Sequence, residues 1–68
     1  MDINIRRAVL QNMNNSSFDD VKSTIMDAIS SGEEKMLPGL GVLFEVLYNA
    51  SDDPGKQDII NKLVNGLQ

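Results

Sequence analysis

The chain reads as all-α, a small four-helix, bundle-like domain spanning residues 1–68. Three observations predict this class. Apolar residues recur at three- and four-residue spacing in four separate stretches, each stretch opens on a helix-start signal, and no alternating run is long enough for a strand. Ile3-Asn4-Ile5 alternates, but three residues do not make a sheet.

The first helix is predicted near residues 3 to 12, with Asp2 as its N-cap and Ile5, Ala8, Val9, Asn12 and Met13 along one side. Asn14-Asn15-Ser16-Ser17 is a polar turn. Ser17 with Asp20 three residues on resembles a capping box, with Asp in place of the preferred Glu or Gln, and starts a second helix near 18 to 31. Its stripe is Phe18, Val21, Ile25, Ala28 and Ile29, and Gly32 stands where a helix closes with a residue of positive φ.

Glu33 to Leu37 is a connection with room for one helical turn, because the residue before Pro38 is biased away from helical geometry. Pro38 fits the first position of a third helix near 38 to 50. Leu40, Leu43, Phe44 and Leu47 line one side of it, Val42 and Val46 widen that face, and the polar strip is Gly41, Glu45, Tyr48 and Asp52. A helix apolar over most of its circumference is central in a bundle or covered by a partner. Asp53 as N-cap and Pro54 at the next position then start a fourth helix near 54 to 65, with Ile59, Ile60, Leu63, Val64 and Leu67 inside and Gly66 at its fraying end. Val21, Ile25, Leu40, Leu43, Phe44, Leu47, Ile60 and Leu63 form the expected common core.

A domain of 68 residues buries only about 60% of what its unfolded chain exposes, so its stability is expected to be marginal. No cysteine or histidine is present to supply a disulfide or a typical zinc site, so helix packing or a partner chain has to substitute. The net charge of −4 opposes attraction to phosphate backbones. Arg6-Arg7 is followed only by Ala8-Val9-Leu10 before polar residues return, which is not the apolar core of an export signal. The chain is therefore expected to remain where it is made, and the Asn-x-Ser matches at Asn14, Asn15 and Asn49 are chance.

Chemistry-bearing patterns are few. Catalysis lacks a histidine base and a cysteine nucleophile, and the serines fall at caps, turns or a wet face, so no catalytic residue is assigned. Leu37-Pro38-Gly39-Leu40-Gly41 at a helix start invites comparison with a phosphate cradle, but the Gly-Lys-Ser/Thr of a P-loop is missing and Phe44 stands where a dinucleotide fingerprint needs its third glycine. No cofactor is expected. Acidic pairs at Asp19-Asp20, Glu33-Glu34 and Asp52-Asp53 lack the spacing of a calcium loop, so no metal is expected either. Met36 to Tyr48 carries one charge but falls short of the roughly 20 residues of a membrane span. A recognition helix would need donors for base edges, and there is no Lys or Arg between Leu37 and Lys56.

What remains is the third helix as a contact element. Two glycines near its start each cost up to about 1 kcal/mol relative to alanine, and close approach of a neighbouring backbone would compensate. Gly39, Leu40, Gly41, Val42 and Val46 are the expected protein-contact residues, with a homodimer or another protein as partner.

The stretch Gly32-Glu33-Glu34-Lys35-Met36-Leu37-Pro38-Gly39-Leu40-Gly41-Val42-Leu43-Phe44-Glu45 and the opening Asp2, Asn4, Arg6, Ala8, Val9 and Asn12 resemble the I-type small acid-soluble spore proteins of endospore-forming bacteria. The resemblance runs along nearly the whole chain and is most specific over Gly32 to Glu45. It implies a minor protein of the dormant spore, made in the forespore and held in the spore core, with no enzyme activity or cofactor. It does not imply DNA coating: neither the glycine- and threonine-rich DNA-contacting segment nor the germination-protease motif of the abundant alpha/beta-type proteins is visible. The two leading expectations are an accessory spore-core protein and a protein-binding or self-associating module, with DNA binding third.

Overall fold

The computed structural model describes residues 4–68. Among them are four α-helices and one short 3-10 turn: α1 (Asn4–Asn12), α2 (Phe18–Ser31), the 3-10 turn Glu34–Met36, α3 (Leu37–Ala50) and α4 (Asp53–Gly66). The all-α class is borne out. The expected Asp2 cap and the helix start at residue 3 lie outside the described residues.

Local chemistry sets the boundaries. Asn15 adopts a left-handed φ of 61° between α1 and α2, a conformation Asn tolerates better than most residues. The capping box forms: Ser17 Oγ accepts from the Asp20 N–H at 3.1 Å, and the Asp20 carboxylate accepts from the Ser17 N–H at 3.4 Å. Gly32 closes α2 at φ 64°. Leu37 is helical at φ −62°, ψ −41° despite preceding Pro38, because the 3-10 turn runs straight into α3. Pro38 consequently occupies the second helical position.

The cap of α4 is also one residue earlier than the sequence suggests. Asp52, not Asp53, is the N-cap, and its Oδ1 accepts from the Gly55 N–H at 2.9 Å. A Cβ on residue 55 would stand 3.0 Å from that oxygen and 3.2 Å from Ser51 Cβ. Gly55 therefore leaves room beside the capping carboxylate.

Helix α3 is the hub, packed against α1, α2, the 3-10 turn and α4. The interior it organises is thin. Val42, 7% exposed, is the one buried apolar side chain among the described residues. The expected common core is corrected accordingly: Val21, Ile25, Leu40 and Leu43 are half-buried, whereas Phe44, Leu47, Ile60 and Leu63 are exposed. Three short helices arranged around a central one do not close over all of its apolar circumference. The radius of gyration, 13.0 Å, exceeds the roughly 11 Å of a compact domain of this length.

Candidate protein-contact surface

Glu45 on α3 meets α1. Arg6 on α1 donates through Nε and Nη2 to the two carboxylate oxygens of Glu45, at 2.7 and 2.8 Å. This paired hydrogen bond, reinforced by charge attraction, raises the Arg6 guanidinium pKa. It also holds the Glu45 carboxyl below its ordinary range, against the opposing effect of partial desolvation. One of the two residues of the basic Arg6-Arg7 cluster is thereby committed to the fold. At the far end of α3, Lys56 Nζ lies 5.2 Å from the Tyr48 ring centroid, and Tyr48 stacks on Phe44 with centroids 6.1 Å apart. Part of the predicted polar strip, Glu45 and Tyr48, thus serves intramolecular contacts.

The remaining circumference of α3 borders two open apolar grooves. The larger, about 620 Å³, lies between the end of α1, α2 and α3, with Leu10, Met13 and Ile25 on its walls and no charged residue in its lining. The smaller, about 510 Å³, lies between α3 and α4, with Ile59 and Leu63 on its far wall. Phe44 and Leu47, 40% and 52% exposed, line both grooves and stand between them as a shared ridge.

The five residues expected from sequence to make contacts are placed unequally. Leu40 and Val46 line the larger groove, and Val46 is exposed. Val42 is taken up by the chain's own interior. Gly39 and Gly41 have open space about them: a Cβ at either position would meet nothing within 4 Å, so no neighbouring helix of the same chain approaches there. Phe44 and Leu47 read as core and are instead groove residues. Leu10 stands outside the α1 stripe, and that is the signal that marks it: an apolar residue outside its helix's own stripe lines the larger groove.

A small, acidic, all-helical protein with an uncovered apolar ridge on its central helix is the class these features define. The family described as "Small, acid-soluble spore protein I" matches residues 3–67, and the chain belongs to that family. A protein of that name from Bacillus velezensis is 52% identical over 68 residues, covering all of this chain and 96% of the relative. Those from Bacillus mycoides and Bacillus licheniformis are 52% and 48% identical, again over all of this chain and over 99% and 97% of their own lengths. No solved structure matches.

Proposed function

We propose that this chain is a non-enzymatic minor protein of the spore core, made in the forespore, where it serves as an accessory structural component. The observation that carries the reading is the likeness to relatives named as spore proteins, at about half identity over all 68 residues and over 96% and 99% of the relatives' lengths. The residue chemistry agrees: the chain holds no histidine or cysteine for base or nucleophilic work, and its acidic balance disfavours a DNA-coating role. A fluorescent fusion expressed from the native promoter, followed through sporulation, tests it. Signal confined to the forespore and retained in the dormant core is expected; signal in growing cells or in the mother cell would refute the assignment.

A second reading, a protein-binding module that uses the third helix, is favoured by one specific observation. The ridge of Phe44 and Leu47 is apolar, exposed and bordered by a groove on each side.

A further inference from the structure

We infer that the two grooves and the ridge between them form the interface of a symmetric dimer of this chain. The inference rests on the protein-binding reading and names its partner as a second copy.

The area supports it. The chain exposes 5616 Å², about 1,400 Å² beyond what a compact monomer of 7.5 kDa leaves exposed. A standard stable interface needs only about 800 Å² from each partner. A thin interior, with one buried apolar side chain among the described residues, gives a small domain a strong reason to gain burial by association.

The shape identifies the partner. A two-fold interface requires a patch that is complementary to itself, so it must carry both a protrusion and a recess. The Phe44 and Leu47 ridge is the protrusion, and the larger groove beside it, walled by Leu10, Met13 and Ile25, is the recess. Around a two-fold axis near the ridge, each copy lays Phe44 and Leu47 into the other's groove, and the same residues are covered twice. The absence of charged residues from that lining disfavours a polyanion or a charged peptide as occupant. The smaller groove adds Asp58 and Lys62, which pair with each other at 3.1 Å and cancel in charge, so the net −4 of each copy does not concentrate in the interface. Residual repulsion acts from the periphery, so association strengthens as salt rises.

Sedimentation equilibrium of the full chain from micromolar to millimolar concentration is the test. The expected result is a rise in mass to twice the 7.5 kDa of one chain, at lower protein concentration when salt is raised. Leu47→Asp should return the mass to that of the monomer, with the helical circular dichroism spectrum retained. Leu67→Asp, at an exposed site outside both grooves, should leave the dimer intact. Because the chain has no cysteine, Leu47→Cys provides an independent check that does not rely on a disruptive charge: the dimer places residue 47 near its own copy, and mild oxidation should crosslink it. A monomer mass at millimolar concentration overturns the inference, as does a dimer unaffected by Leu47→Asp and not crosslinked through residue 47. A fluorescent apolar dye separates the failures: a monomer that binds it retains an open apolar surface and keeps the protein-binding reading, and a monomer that does not loses both.

Discussion

Arg6 and Glu45, 39 residues apart in sequence, meet in a two-point hydrogen-bonded ion pair that ties α1 to the central helix. Both side chains are about half exposed, so solvent screens the pair and its worth depends on salt and pH. Planar guanidinium and planar carboxylate give the pair a defined relative orientation as well as proximity.

The first prediction concerns acid. The folded Glu45 carboxyl stays ionised to lower pH than in the unfolded chain. The pair therefore stabilises the fold above the usual carboxylate value of about 4.3, and this contribution is lost as pH falls through the depressed folded value. Thermal melts of wild type and Glu45→Gln should differ at neutral pH and low salt, with wild type melting higher, and should converge as the pH falls below the carboxylate range. A difference that does not change with pH would show that the ionised pair is not its source.

The second concerns the start of α4. Asp52→Ala should lower stability by about 1 kcal/mol through loss of the cap to the Gly55 N–H, whereas Asp53→Ala should cost less than half of that. Chemical denaturation of both variants decides which aspartate is the cap.

The third concerns the glycines of α3. Neither Gly39 nor Gly41 has a positive φ or a neighbour that a methyl group would strike. Alanine at each should raise stability by about 0.5–1 kcal/mol, because alanine is the better helix former. A loss of stability or of association at Gly41→Ala would show that a close backbone approach does occur there.

The fourth compares two apolar side chains. Val42→Ala should cost about 2 kcal/mol, since Val42 is the residue the chain buries. A fully buried Phe replaced by Ala would cost about 3–5 kcal/mol, the value the sequence suggests for Phe44. With 40% of Phe44 exposed, Phe44→Ala should fall below that range when measured on dilute monomer. A full-sized loss there would mean that Phe44 is buried in solution.

The fifth concerns nucleic acid. Duplex DNA should show no shift at physiological salt, and Arg6→Ala with Arg7→Ala should not alter that result. Tight, salt-sensitive binding abolished by the double variant would expose a basic site that the net charge conceals.

Helix identity was legible in the sequence because its causes are local. Ser17 and Asp20 cap each other across three residues, Gly32 supplies the left-handed closing residue, and the apolar stripes repeat at the helical period. The family was legible for a related reason: Gly32 to Glu45 is a long contiguous stretch whose residue choices are unusual together, and the likeness extends over residues 3–67.

Periodicity does not show which apolar residues find cover. It places Phe44, Leu47 and Val42 on the same broad circumference of α3, but cannot say that Val42 is buried while the other two border open grooves. Nor does it distinguish Asp52 from Asp53, of which the structure makes Asp52 the residue that accepts from the Gly55 N–H. The sequence by itself determined the four helices, the caps of α2 and α4 to within a residue, the acidic balance and the spore-protein family. Only the tertiary structure decided that Arg6 pairs with Glu45, that Val42 is buried, and that Phe44 and Leu47 are exposed. Local hydrogen bonds and side-chain period act within a few residues, whereas burial depends on how few helices surround a central one, and three neighbours of this length leave part of α3 uncovered.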